Sequence, residues 1–149
     1  MPARIRRAKL CDLDALVALE NASFDHDRVS RAQFRRHIAS TSADVLVAEQ
    51  RGQVLGAAMS FFRRGVKTAR LYSIAIAHAA RGQGLGAALL QAAEHEVRRH
   101  GCAAMKLEVR TDNASAMALY EKHGFLRVTR VPGFYENGMD AWRYEKPLG

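Results

Sequence analysis

The chain of 149 residues has the length of one domain, and it can bury a core without help from a disulfide or a metal. Its composition, with 48% hydrophobic and 26% charged residues, is that of a globular protein and excludes a fibrous or disordered chain. A net charge of +8 favours an anionic partner, but the basic residues are dispersed and aromatic residues make up only 7%, which argues against a nucleic-acid-binding surface.

In chain order, the first half of the sequence predicts a strand, two helices and a hairpin. The strand covers residues 3–8, the helices follow N-caps at Asp12 and Ser30, and the hairpin strands cover residues 44–50 and 53–62 with a turn at Arg51-Gly52. No uninterrupted apolar run follows the basic residues near the N-terminus. We therefore expect a cytoplasmic protein that neither carries an export signal nor binds a membrane.

The second half alternates strands with helices. The predicted elements are a strand over residues 68–78, a helix over 84–101, a strand over 104–110, a helix from Asn113 to Gly124, and a last pair of strands over 125–131 and 138–148. This order combines antiparallel hairpins with one βαβ crossover. It predicts a single α+β (mixed α/β) domain over residues 1–149.

The segment ARGQGLGAA, residues 80–88, lies between a predicted strand and a predicted helix. Its alternating glycines, Gly82, Gly84 and Gly86, let backbone amides approach a ligand, and the start of the helix favours an anion such as a phosphate. Gly82, Gly84 and Ala87 also match a dinucleotide-binding fingerprint, but a single βαβ unit is too little for a doubly wound sheet. A simple tight turn between strand and helix is the other interpretation.

At Arg81, Gly84 and Gly86 the loop resembles the signature Q/R-x-x-G-x-G/A of the GNAT family of N-acetyltransferases. Residues 107–125 and 133–148 are similar to N-terminal protein acetyltransferases, including the ribosomal-protein alanine acetyltransferases. The resemblance implies a mostly antiparallel, twisted sheet of about seven strands with four helices. It also implies acetyl-coenzyme A (acetyl-CoA) as co-substrate and an amine as acceptor.

The resemblance further implies where coenzyme A binds. The strand backbone at Ile74, Ala75 and Ile76 would hold the pantetheine arm, and an N–H at Ile76 would polarise the thioester carbonyl. Asn113 would cap its helix and also bind the pantetheine. The loop would bind the pyrophosphate through Arg81, Gly82, Gln83, Gly84, Leu85, Gly86 and Ala87.

Two residues are the candidates for acid–base chemistry. Glu108 lies in an otherwise apolar strand and is predicted to be the general base, although a structural carboxylate paired with Lys106 or Arg110 is the alternative. Tyr120 is predicted to protonate the departing thiolate, because it matches the family's Leu-Tyr-Glu segment; a tyrosine that only packs is the alternative. The six histidines show no metal-binding spacing, so we expect no metal.

Phe24, Asp25, Tyr135 and Asp140 fall in segments that contact the acceptor in the family. Two departures concern the same regions: Phe134 stands where many relatives have tyrosine, and residues 23–31 lack the proline- and aromatic-rich character of some members. Acidic residues in these segments suggest that the entrance of the acceptor site, called the mouth below, attracts a cationic amine. These residues are Asp25, Asp27, Glu136 and Asp140. Ordinary exposed loop carboxylates are the alternative.

The preferred acceptor is a protein or peptide N-terminus. An α-amine with a pKa of about 7.7–8.0 is partly neutral near pH 7, whereas a lysine amine at about 10.4 is almost wholly charged. The alternatives are a small amine such as a polyamine, aminoglycoside or amino acid, a non-catalytic acyl-CoA sensor, and a nucleic-acid-binding domain. The expected oligomeric state is a monomer or a homodimer.

Overall fold

The computed structural model describes residues 3–149 and contains one seven-stranded sheet in the order β1-β2-β3-β4-β5-β7-β6. Every neighbouring pair is antiparallel except β4 and β5, which are parallel. The strands are β1 (Arg4–Arg7), β2 (Ala43–Gln50), β3 (Gln53–Phe61), β4 (Thr68–Ile76), β5 (Ala104–Arg110), β6 (Leu126–Val131) and β7 (Ala141–Pro147).

Four α-helices flank the sheet: α1 (Leu13–Ser23), α2 (Arg31–Ala39), α3 (Leu85–Arg99) and α4 (Ala114–Lys122). Short 3₁₀ turns precede α1 at Leu10–Asp12 and follow β4 at His78–Ala80. One hydrophobic cluster packs α1 and α2 on β2 and β3, and another packs α3 and α4 on the opposite face of the sheet. Within residues 3–149, no helix combines the length and the apolar character that crossing a membrane requires.

The predicted order of elements and the fold class are confirmed, and three local details explain why. Arg51 and Gly52 both have positive φ angles, 54° and 76°, as a two-residue hairpin turn with the natural strand twist requires. The Ser30 side chain accepts a hydrogen bond from the N–H of Gln33, and that of Asn113 accepts one from Ala116. Both helices therefore begin at caps that the sequence predicts.

Two local predictions were wrong. Although α1 begins directly after Asp12, the Asp12 carboxylate does not cap it, because it accepts hydrogen bonds from the Lys9 N–H and the Arg6 guanidinium. The predicted strand over residues 68–78 ends at Ile76, because the chain turns into the 3₁₀ segment His78–Ala80.

The parallel strands β4 and β5 separate along their length, and this separation positions the site. They pair only where Thr68–Arg70 faces Ala104–Lys106. Beyond this point β4 continues beside β3 to Ile76, while β5 continues beside β7 to Arg110. The sheet therefore opens into a wedge at the carboxyl ends of its two central strands.

Candidate active site

A cleft of about 530 Å³ occupies this wedge, and it is called the cleft below. Its walls come from the end of α1 and the loop after it, from β4 and β5, from the start of α4, and from residues 134–137. Seven of the predicted catalytic, cofactor-binding and acceptor-binding residues line it: Phe24, Asp25, Ile74, Glu108, Asn113, Tyr120 and Tyr135. Residues far apart in the chain, such as Phe24 and Tyr135, thus line one cavity because the two central strands diverge.

Glu108 lies on β5 with a side chain only 4% exposed. Its Oε2 accepts a hydrogen bond from Arg143 Nε at 2.8 Å, and its Oε1 lies 2.9 Å from Arg70 Nη2, an ion pair without hydrogen-bond geometry. Neither Lys106 nor Arg110 is its partner; Arg110 pairs with Asp112 at 2.7 Å. The carboxylate is therefore held in one orientation at the cleft wall by two guanidinium groups.

Tyr120, on α4, is 8% exposed and packs its ring against Phe125 and Tyr144, at centroid distances of 5.8 and 6.4 Å. Its hydroxyl has no hydrogen-bond partner among residues 3–149, and the side chain lines the cleft. Burial raises the pKa of this phenol above its usual value. The group therefore keeps its proton near neutral pH, and the hydroxyl is free to donate it to a ligand in the cleft.

The glycine loop follows β4 by way of the 3₁₀ segment. Gly82 and Gly84 have φ angles of 79° and 78°, and a Cβ atom at either position would meet no atom within 4 Å. The left-handed backbone therefore requires glycine there, and open space surrounds both residues. Gly86 lies against α4, where a Cβ atom would be in van der Waals contact with Leu119 Cδ2 at 3.4 Å.

The start of α3 is open to a ligand. Gly84 precedes the helix, and no side chain caps the first-turn N–H groups. These N–H groups and the positive end of the helix dipole favour an anion. Arg81 and Gln83 are exposed beside them. Along β4, Ile74, Ala75 and Ile76 pair with β3, and within residues 3–149 no strand pairs with their other edge.

Two loops meet over the mouth of the cleft. The carboxylate of Asp27 accepts a hydrogen bond from the N–H of Glu136 at 3.3 Å, which joins the loop after α1 to the loop before β7. Beneath them, Arg70 lies 5.7 Å from the ring centroids of both Tyr72 and Phe134. The mouth therefore carries both signs of charge and an aromatic rim.

Tyr135 and Asp140 occupy different places. Burial, with a smaller contribution from the Glu108 charge, raises the pKa of Tyr135 to about 12. Asp140 is not among the residues that line the cleft; its carboxylate accepts hydrogen bonds from Arg130 Nε and the Gly133 N–H, both at 2.9 Å. That carboxylate holds the turn between β6 and β7.

The cleft wall also contains residues to which the sequence did not point, among them the three residues Glu20, Arg70 and Tyr72. Each carries a signal that could have identified it. Arg70 and Tyr72 are two residues apart in a largely apolar strand, and so they share one face. Glu20 lies four residues after Leu16 and seven after Leu13, so it stands in the apolar stripe of α1, where a carboxylate is unexpected.

The sequence model described as the acetyltransferase (GNAT) family matches residues 13–125. An N-alpha-acetyltransferase of Sulfurisphaera tokodaii is 31% identical over 97% of this chain and 93% of its own. Within residues 3–149, no group of three or more histidine, cysteine, aspartate or glutamate side chains is placed to hold a metal ion.

Two solved structures of acetyltransferases also superpose on this chain. The crystal structure of the ribosomal-protein-S18-alanine N-acetyltransferase from Escherichia coli superposes with a TM-score of 0.86 at 29% identity, over 99% of this chain and 94% of the other. A candidate acetyltransferase from Salmonella typhimurium, solved with its cofactor acetyl-CoA, has a TM-score of 0.86 at 25% identity, over 100% and 95% of the two chains.

Proposed function

The chain belongs to the acetyltransferase (GNAT) family of acyltransferases, and on this premise we propose that it transfers the acetyl group of acetyl-CoA to the free α-amine of a protein or peptide N-terminus. One observation carries the proposal. The cleft brings the carboxylate of Glu108 and the free hydroxyl of Tyr120 beside the unpaired edge of β4 at Ile74, and outside the cleft β4 leads through the 3₁₀ segment to the uncapped, glycine-led start of α3.

The residues present fit coenzyme A. Its pyrophosphate would bind at Gly82, Gly84 and the first-turn N–H groups of α3, where space is open, with Arg81 beside it. The amide groups of the pantetheine arm would pair with the free edge of β4 near Ile74, as an added strand would. The Asn113 side chain, which caps α4 and lines the cleft, lies where it could contact the same arm.

Acetyl-CoA supplies an activated acetyl group as a thioester. The neutral amine nitrogen attacks the thioester carbonyl, so a C–N bond forms and the C–S bond breaks. The Tyr120 hydroxyl, which no other group holds, donates its proton to the departing sulfur. Glu108 takes the proton that the amine loses, directly or through a water, with Arg70 and Arg143 keeping its carboxylate in place.

The acceptor assignment has two supports. The Sulfurisphaera tokodaii relative is named an N-alpha-acetyltransferase, and the Escherichia coli relative is named a ribosomal-protein-S18-alanine N-acetyltransferase. In this chain, the aromatic side chains of Phe24, Phe134 and Tyr135 line the cleft, and Phe134 packs on Tyr135; such a lining suits a peptide.

The test is release of free coenzyme A thiol from acetyl-CoA with three sets of acceptors: peptides with free N-termini, the same peptides with blocked N-termini and an internal lysine, and small amines. We expect turnover with the first set only. Turnover with small amines alone would replace the proposed acceptor with a small-molecule amine. Coenzyme binding without turnover on any acceptor would favour an acyl-CoA sensor.

A further inference from the structure

Glu20 differs from the other buried carboxylates of the described chain. Each of four others contacts a basic side chain: Asp12 with Arg6 at 2.9 Å, Asp44 with Arg7 at 2.8 Å, Glu94 with Lys146 at 2.6 Å, and Glu108 with Arg143 at 2.8 Å. Glu20 is 5% exposed and forms no ion pair with any residue of 3–149. Burying a carboxylate without a charged partner costs folding free energy, and a cationic ligand would offset that cost.

The Glu20 carboxylate has one oxygen that accepts a hydrogen bond and one that does not. Oε2 accepts a hydrogen bond from the N–H of Val29 at 2.8 Å, which holds the carboxylate in place. Oε1 has no hydrogen-bond partner within residues 3–149. The positive charge of Arg28 acts on the Glu20 carboxylate, but the Arg28 guanidinium donates its hydrogen bonds to the carbonyl oxygens of Phe24 and Asn21. One carboxylate oxygen is therefore left for a ligand.

The surroundings of Glu20 indicate the ligand's charge. Glu20 lines the cleft from the α1 wall, beside Tyr72 of β4, whereas Glu108 lines it from β5. Both arginines that line the cleft are already paired, Arg70 with the carboxylate of Glu108 and Arg110 with that of Asp112. An incoming primary amine arrives mostly as an ammonium ion near pH 7. A primary ammonium group carries a positive charge and three N–H donors. It can therefore donate a hydrogen bond to the free Oε1 of Glu20 and pair with the negative charge of the carboxylate.

We propose that Glu20 is the acceptor-binding residue that receives the ammonium group of the incoming amine. The bound ammonium ion releases one proton to solvent before the neutral nitrogen attacks, and removal of the second proton and acid catalysis stay with Glu108 and Tyr120. The inference rests on the proposed function only in that the acceptor is an amine. Glu20 acts on binding and is not a catalytic residue. Its replacement therefore weakens acceptor binding more than it slows the bound complex.

The test measures the interaction between Glu20 and the ammonium group in the coenzyme A-bound protein. One probe is a hexapeptide with a free N-terminal alanine, and the other is its deamino analogue, in which hydrogen replaces the amine. A primary alkylamine and the matching alcohol form a second pair. Dissociation constants are measured by calorimetry for the wild type, Glu20→Gln and the control Glu94→Gln, whose carboxylate lies outside the cleft lining and pairs with Lys146.

We expect the wild type to bind the ammonium peptide at least about tenfold more tightly than the deamino peptide, which is ~1.4 kcal/mol. In Glu20→Gln the preference should fall below about threefold, because only the ammonium peptide binds more weakly. Glu94→Gln should keep the full preference. An undiminished preference in Glu20→Gln would overturn the inference, as would equal weakening of both peptides.

The outcomes separate this inference from the acceptor assignment. If neither peptide binds and the wild type prefers the alkylamine to the alcohol, a preference that Glu20→Gln abolishes would overturn the peptide acceptor but support Glu20 as the ammonium site. Absence of an amine preference in both pairs would overturn the Glu20 inference whatever the acceptor. The unliganded proteins give an independent readout. Glu20→Gln should melt no lower than the wild type, whereas a purely structural role predicts a lower Tm.

Discussion

Replacing Tyr120 with phenylalanine separates the chemical role of the hydroxyl from the packing of the ring. The hydroxyl has no hydrogen-bond partner within residues 3–149, so its removal loses no intramolecular hydrogen bond. The ring contacts with Phe125 and Tyr144 do not involve it. The free energy of unfolding should therefore change by less than about 0.5 kcal/mol. General acid catalysis is worth about 10²–10⁴ in rate, so kcat should fall at least about 100-fold.

Tyr144→Phe is the matched control, because the same atom is removed from a tyrosine that is fully buried and does not line the cleft. Its hydroxyl donates a hydrogen bond to Glu121 Oε2 at 2.5 Å and accepts one from Arg127 Nε at 3.2 Å. Because the Glu121 and Arg127 side chains are 49% and 43% exposed, water replaces part of this interaction, and its loss should lower stability by less than the loss of a fully buried hydrogen bond. Tm should therefore fall by a few degrees, with kcat nearly unchanged.

The assay combines steady-state kinetics at saturating acetyl-CoA with thermal and urea denaturation of both variants. The expected pattern is opposite in the two proteins: lost activity with retained stability for Tyr120→Phe, and retained activity with lost stability for Tyr144→Phe. A kcat within about threefold of wild type in Tyr120→Phe would refute the acid role. An equal drop in Tm for both variants would refute the claim that the Tyr120 hydroxyl has no structural partner.

Three further predictions concern the charged residues of the site. Glu108→Gln should lower kcat about 100-fold or more with little change in the KM for acetyl-CoA, and a rate within about threefold of wild type would exclude the base role. Arg81→Ala should raise the KM for acetyl-CoA about tenfold, but not that for acetyl-pantetheine, which lacks the phosphates; equal effects on both donors would contradict a phosphate contact. Burial raises the pKa of Glu20, so the folded state binds this proton more tightly than the unfolded state, and the charged form costs stability at pH values above the raised pKa. The gain in unfolding free energy from Glu20→Gln should therefore be larger at pH 8 than at pH 5, and urea titrations that show a gain independent of pH would contradict this linkage.

Sequence periodicity predicts most of the fold because local signals and tertiary packing agree here. The local sequence favours a hairpin turn at Arg51-Gly52 and helix N-caps at Ser30 and Asn113. The structure has each of these conformations. Asp12 shows the limit of such signals. Its spacing is that of an N-cap, but a guanidinium from the neighbouring strand and a nearer backbone N–H compete for the carboxylate.

The site was less predictable, because its geometry depends on the separation of β4 and β5. No local pattern tells where two parallel strands stop pairing, although the loop motif indicates what binds near their ends. The partners of Glu108 are 35 or more positions away along the chain, on β7 and β4, so spacing within β5 pointed to the wrong arginine and lysine. Glu20 was missed because it occupies a position that the helical pattern assigns to the core.

The most direct measurement of the central claim is a crystal structure of the protein with a bisubstrate analogue, in which the sulfur of coenzyme A is linked through an acetyl group to the N-terminus of a short peptide. The account predicts that the pantetheine follows the free edge of β4 near Ile74, that the sulfur lies within hydrogen-bond distance of the Tyr120 hydroxyl, and that the peptide leaves between residues 24–27 and 134–137. A sulfur remote from Tyr120, or a peptide outside the two mouth loops, would contradict it.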